Sequence, residues 1–448
     1  MHETTRSTYA LAFALLLGPA IGHAADSAPS PIAQINGANT AALAKLMQPV
    51  QAQSVAPAKA DDYKDPDLWA RIRSGYAIPD INNNLVDKDV QWFISRPDYL
   101  TKSSSRASLY LYHVVQELEK RGMPTELALL PVIESGFNPQ ALSNKDAAGI
   151  WQFVPGTGRD FNLQQNMFKD ERRGVLASTD AALTYLQRLY TMFGDWQLAL
   201  AAYNWGEGNV QKAIQKNRAL GKPTDFESLA DLMPAETRNY VPKLQAVKNI
   251  IANPAQYGIT LPEIDNQPYF TTVDKTSDID LAVAAQLAEM SVDDFKALNP
   301  QFKKPVIAGN STILLPTENA EKFHLNLAQW GHALSSWTTH KITSARESIA
   351  SLASKFGTTP EVIRQANNIP PQMRLRAGST ILVPKTATAD NDITENIVET
   401  AQIALEADHG EARRKGHLSG AQRFKASAAN AIADFKSRVA HKTHRKQR

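Results

Sequence analysis

Apolar residues recur at helical spacing through much of the chain before residue 260. Leu68, Trp69 and Ile72 open the pattern, and Trp92, Phe93, Tyr99 and Leu100 continue it. Leu109, Tyr112 and Gln116 fall on one side of a helix that Gly122 ends, with Ser105 a candidate cap before it. Leu183, Leu186, Leu189, Tyr190 and Phe193 form a second stripe, and Val241, Leu244, Val247 and Ile251 a third, on a helix expected from about Pro234 to Ala252. Between them, Trp196 to Tyr203 reads as apolar helix and Asn204 to Asn209 as a Gly-rich turn. This is the pattern of a mainly helical domain.

One run differs from the rest. Ala128-Leu-Leu-Pro-Val-Ile leads into Glu134-Ser135-Gly136, so a carboxylate closes an apolar segment. Met123-Pro124 opens that helix, and Pro131 inside it should kink it or shift its boundary. Glu134 then falls at or just past a distorted last turn. Apolar surroundings raise a carboxyl's pKa, which suits a general acid and equally describes a structural buried Glu. Downstream, Ser143 to Asp146 is a turn-and-cap cluster before Gly149-Ile-Trp-Gln152, where Gly149 permits close approach and Gln152 lies between two aromatic residues.

Beyond Pro262 the chain repeats itself without a gap at an offset of 68 residues. Leu281, Ala284, Ala285 and Ala288 align with Ile349, Leu352, Ala353 and Phe356, Asn299 aligns with Asn367, and Ser311 to Pro316 with Ser379 to Pro384. Each unit reads strand, helix, helix, strand, the second helix starting from Ser291 or Thr359. Modules this small leave little room for a catalytic cleft, so binding is expected of them.

Composition limits the rest. Hydrophobic residues at 43% and charged residues at 21% suit a globular chain, and 448 residues imply more than one domain. Arg6, a short apolar core from Ala10 to Gly18 and Gly22-His-Ala24 read as a signal peptide over 1–24. Residues 25–64, rich in Ala, Pro, Gln and Ser, read as a flexible leader. The absence of cysteine excludes disulfides and a lipid-modified N-terminal Cys. An exported, periplasmic protein that is not a lipoprotein is expected. From Arg413 onward eleven Lys or Arg stand against Asp434 alone. The tail over 386–448 is either a solvated disordered segment or, in its basic part, an amphipathic helix for an anionic surface; nucleic acid is not expected as a partner. With no cysteine and no clustered histidines, neither a metal nor a cofactor is expected.

Four separated motifs, Glu134-Ser135, Gly149-Ile-Trp-Gln152, Ala202-Tyr-Asn204 and Glu236-Thr-Arg-Asn-Tyr240, stand in an order and spacing that closely resembles the lysozyme-like domain of bacterial lytic transglycosylases of glycoside hydrolase family 23. The repeats resemble LysM modules, the second more clearly, since the first lacks the usual Gly-Asp-Thr opening turn. The resemblance implies an α+β multidomain chain: a mainly α catalytic domain over 65–260, a degenerate LysM-like module over 270–317, a linker over 318–336 and a second βααβ LysM module over 337–385.

It also implies a chemistry. Glu134 matches the family's catalytic Glu, which cleaves the bond between N-acetylmuramic acid and N-acetylglucosamine and leaves 1,6-anhydro ends. Ser143, Gly149, Gln152, Tyr203, Asn204, Glu236 and Tyr240 would bind substrate or order the cleft. Peptidoglycan strands would be the substrate, and N-acetylglucosamine-containing glycan the ligand of the modules. Two alternatives stay open: a hydrolytic muramidase of the goose-lysozyme type, using Asp146, Glu207 or Glu236 to activate water, and a non-catalytic wall-binding scaffold.

Overall fold

The computed structural model describes residues 66–407. The expected signal peptide and leader, and the basic segment of the tail, lie outside the described residues. Helices α1 (Leu68–Ser74), α2 (Asn84–Ile94), α3 (Pro97–Ala107) and α4 (Leu111–Lys120) begin the described chain. Ser105 is interior to α3 and caps nothing. A 3-10 turn (Thr125–Leu129) leads into α5 (Leu130–Ser135), followed by α6 (Pro155–Asp160), α7 (Val175–Phe193), α8 (Trp196–Trp205) and α9 (Glu207–Ala219). Short α10 (Phe226–Leu229) and α11 (Ala235–Arg238) precede α12 (Tyr240–Ala252).

Two helix boundaries differ from expectation. The segment read as one helix from Pro234 breaks at Asn239 between α11 and α12. The supposed turn over Asn204–Asn209 is helix on both sides of Gly206, whose φ of 89° breaks the rod in one residue. Local composition overstated that turn because two glycines lie close together.

One apolar core joins these helices. It includes Leu68, Phe93, Leu111, Leu130, Trp151, Leu186, Leu200 and Val247, and it closes where Trp69 Nε1 donates to the Pro262 carbonyl (3.0 Å). Glu126, almost wholly buried, accepts from the backbone N–H groups of Ala77 and Ile78 and pairs with Lys248 (3.2 Å), so its charge is compensated.

The repeats build two similar modules. In the first, β1 (Phe270–Lys275) pairs antiparallel with β4 (Ser311–Pro316), and β2 (Ile279–Asp280) with β3 (Val306–Ile307), around α13 (Leu281–Leu287) and α14 (Val292–Leu298). The segment expected as a helical or loose linker is helical in its first part, and α15 (Thr317–Ala328) also lays Ala320 and Phe323 into this module's core. In the second, β5 (Trp337–Lys341) pairs with β7 (Thr380–Pro384) around α16 (Ile349–Lys355) and α17 (Pro360–Asn367). Ser291 and Thr359 cap α14 and α17 through their side chains.

The expectation of disorder from residue 386 is corrected for its first part. There α18 (Glu395–Thr400) buries Val398, and β8 (Leu405–Ala407) pairs with β6 (Met373–Leu375) of the second module. The apolar positions Ile393, Val398 and Ala401 that drive this are sparse among polar residues and show no clear period. No helix of the described residues is long and apolar enough to cross a membrane.

Candidate active site

The sequence around Glu134 folds as a short helix with a hard stop. Pro131 is the second residue of α5, where a missing N–H costs nothing, so it sets a boundary between the 3-10 turn and the helix instead of a kink. Gly136 is left-handed (φ 59°, ψ 39°); its N–H donates to the Val132 carbonyl, and that of Phe137 to Pro131. Neighbours lock this end. Tyr99 donates to the Val132 carbonyl (2.7 Å), Arg106 Nε to Gly136 (2.8 Å) and Ser135 Oγ to Ile150 (3.0 Å).

Glu134 itself is half-buried at the cleft. Burial pushes its carboxyl up to about 7, against the pull of a hydrogen bond from Tyr240 and the charge of Lys243, while Glu236 pushes it further up. The Tyr240 hydroxyl donates to Glu134 Oε1. Near neutral pH such a group can both give and take a proton.

The facing wall is the irregular loop from Ala141 to Phe153. Ser143 Oγ accepts from the N–H groups of Lys145 (3.1 Å) and Ala147 (3.0 Å). Trp151 is buried and donates to Thr179 Oγ1, and Tyr203 donates to the Trp151 carbonyl (2.9 Å). Gln152 adopts φ 52°, and its Nε2 donates to the Gly149 carbonyl (2.9 Å), leaving its carbonyl oxygen and one N–H free. Asn204 Oδ1 accepts from Thr237 (2.7 Å) and its amide reaches Glu236 (3.5 Å), tying α8 to α11.

A cleft of about 540 Å³ collects Glu134, Ser143, Gln152, Tyr203, Asn204 and Glu236, with Asn144, Lys145, Val154, Tyr185 and Trp205 also on its walls. Two expected residues stand apart. Tyr240 is buried behind Glu134 and does not line the cleft. Gly149 does not line it either: its N–H donates to Ala141, its carbonyl accepts from Gln152, and a Cβ there would sit 1.9 Å from the Arg172 carbonyl. Close approach by backbone, not by ligand, is why glycine stands there.

Arg172 is a residue that reading the sequence missed. Its guanidinium pairs with Asp170 (2.7 Å) and donates to the carbonyls of Asp146 (2.6 Å) and Phe153 (3.1 Å), so it braces the middle and the far end of the loop. Tyr185 was missed as well; its ring lies 5.4 Å from that of Tyr203, and its hydroxyl donates to Glu207. Periodicity could have flagged Tyr185 only as a residue beside the α7 stripe. Of the three carboxylates considered for activating water, Glu236 alone lines the cleft, while Glu207 is engaged by Tyr185 and Arg188. A larger cavity of about 700 Å³, beside the start of α7 and the first module, holds none of the expected site residues. Chemistry, not size, selects the smaller one.

The Transglycosylase SLT domain family matches residues 112–226, the LysM-like domain of lytic transglycosylase MltD residues 269–331, and the LysM domain residues 344–384. The chain is 37% identical over 318 residues to membrane-bound lytic murein transglycosylase D of Escherichia coli K12, covering 68% of this chain and 70% of that one. The chain belongs to the lytic murein transglycosylase D family. Membrane-bound lytic murein transglycosylase C of Yersinia enterocolitica is 33% identical over 218 residues, 42% of this chain and 60% of that protein. As a family member the chain is a lytic transglycosylase acting on peptidoglycan, with its α+β architecture of helical domain and LysM modules.

Proposed function

We propose that Glu134 carries out both proton transfers of an intramolecular transglycosylation. Protonated Glu134 gives its proton to the glycosidic oxygen as the bond from C1 of N-acetylmuramic acid to N-acetylglucosamine breaks. The substrate's acetamido group stabilises the developing positive charge. Glu134, now a carboxylate, takes the proton of the muramyl 6-hydroxyl as that oxygen bonds to C1. A 1,6-anhydro end results and no water is consumed. The observation that carries this reading is the half-buried carboxyl of Glu134 at the cleft, raised to about 7 by desolvation and held by Tyr240.

The other residues take supporting parts. Ser143 has accepted two N–H groups and retains a hydroxyl proton for the acetamido carbonyl. Gln152 offers its free amide atoms to the sugar. Tyr203 has spent its proton on Trp151, so it shapes the wall and can accept. Asn204 holds Glu236 at the cleft edge, and Tyr240 orients Glu134. Gly149 acts by allowing the loop to pack. The modules would take N-acetylglucosamine-containing glycan and hold the enzyme to the wall, with the basic tail on an anionic surface. An exported, periplasmic, peptidoglycan-associated enzyme is the location that fits its peptidoglycan substrate.

Glu236 supports one competing outcome, since a second carboxylate in the cleft could activate water. Digestion of purified peptidoglycan followed by mass spectrometry separates the two. Anhydro-muramyl products are expected; products heavier by one water, with reducing ends, would establish hydrolysis. Glu134→Gln should abolish turnover while the protein still sediments with insoluble peptidoglycan. Full residual activity would remove Glu134 from the reaction.

A further inference from the structure

Behind Glu134 lies a second charged arrangement that does not touch the cleft. Tyr240 and Lys243 are three residues apart on α12, so they present to the same side. Tyr240 reaches Glu134, and Lys243 Nζ reaches the carbonyl of Ile133, the preceding residue, at 3.5 Å. The same ammonium lies 6.0 Å from the ring centre of Trp92 on α2. One turn before Trp92 is Asp89, a buried carboxyl. Its Oδ1 accepts from Asn239 Nδ2 (3.3 Å), whereas Asp89 Oδ2 and Asn239 Oδ1 are buried with no hydrogen-bond partner among the described residues. Such acceptors are costly to bury, and a nearby cation offsets the cost without direct contact. Lys243 is the cation common to both acids: its charge draws down the carboxyls of Asp89, where Lys88 acts as well, and of Glu134, each of which burial pushes up.

We propose that Lys243 is a positioning residue whose ammonium is shared between Glu134 and Asp89 and which tunes the catalytic acid through its charge. The inference rests on Glu134 as the acid. An acid that must next act as base works best with a proton affinity near the working pH. Burial and the like charge of Glu236 drive Glu134 upward, and Lys243 limits the rise. The other groups facing Glu134 are the hydroxyls of Tyr99 on α3, Tyr203 on α8 and Tyr240 on α12, all raised and therefore neutral. Arg106 acts on Tyr99, and Lys88 joins Lys243 in facing Asp89. Asp89, when ionised, draws the ammonium's charge away from Glu134.

The pH dependence of kcat/KM on soluble peptidoglycan fragments tests this with the full chain. Activity falls on the alkaline side as Glu134 loses its proton. Removing a cation disfavours the carboxylate, so Lys243→Met should move that limb upward by about one pH unit. Lys243→Arg keeps the charge and should hold the limb in place, and Lys243→Gln repeats the test should the Met variant not fold. Asp89→Asn should move the limb downward, and should move it no further once Lys243 is Met. An unmoved limb in an active Lys243→Met enzyme, or an equal shift in Lys243→Arg, overturns the proposal. So does an Asp89→Asn effect that is absent, or is the same in both backgrounds. Residual turnover by Glu134→Gln would instead overturn the reading of the acid, leaving the two failures distinguishable.

Discussion

Glu134 is an expensive residue for the fold to keep. Its carboxyl, ordinarily near 4.5, is raised to about 7 by burial, so the folded chain binds a proton that the unfolded chain has released between those values. Stability on this account falls as pH rises from the lower value and is fully reduced above the higher one. Glu134→Gln removes the penalty. The variant should melt with the native enzyme at about pH 4 and several degrees above it at about pH 8. Differential scanning calorimetry at the two pH values checks the sign; equal melting points at both would show that Glu134 is no more buried than an exposed carboxyl. The same residue that limits stability supplies the chemistry.

At the scale of elements, the repeat has a physical anchor that similarity alone does not reveal. Asn299 in α14's wake and Asn367 at the end of α17 do the same work 68 residues apart. Each is buried, each donates to a carbonyl one turn back (Phe295 or Ile363), and each exchanges two hydrogen bonds with a central strand residue (Leu314 or Leu382). The side chain thus acts as a strand partner for β4 or β7. Replacing it strands a buried N–H and a buried carbonyl. Asn367→Ala should cost about 2–3 kcal/mol, read as a lower denaturation midpoint for the second module by tryptophan fluorescence at Trp337. Asn299→Ala should act alike on the first. A change within about 0.5 kcal/mol would mean that water replaces the amide. The catalytic loop is held on the same principle, by Arg172 reaching two carbonyls and by Gly149 leaving room for the Arg172 backbone.

Over the whole described chain, the modules are joined to the catalytic domain by more than a tether. Leu298 and Leu314 of the first module belong to the catalytic core, and Tyr110 donates to the Ala297 carbonyl. Asp170 N–H donates to Gln301 and Lys303 N–H to Phe168 (2.9 and 2.8 Å). A further cluster brings Phe168, Val306, Ala366, Leu382, Ile393 and Val398 together, drawing on the catalytic domain, both modules and the segment after them. Asp278 accepts from the Ile393 N–H (2.6 Å) across this joint. Ending the chain at Lys385 should therefore lower the melting temperature of the modules by about 3–8 °C and separate their transition from that of the catalytic domain. Calorimetry on the shortened chain checks this, and an unchanged trace would mean that residues 386–407 add nothing to the joint.

Much of this was readable along the chain. The helical periods, the caps at Ser291 and Thr359 and the duplication depend on neighbours within a few residues, and spacing records such neighbours directly. Order and spacing of four motifs also singled out Glu134. What spacing does not record is enclosure. The proton on Glu134 depends on Tyr240, 106 residues away, and on Lys243 and Glu236, because desolvation sums over whatever the fold brings near, whatever its sequence distance. The same holds for Gly149, which packs against the Arg172 backbone, and for residues 317–328 and 395–407, whose few apolar side chains complete cores built elsewhere. The residues able to do the chemistry were determined by the sequence; which of them face the cleft, and in what state of charge, was decided by the tertiary structure.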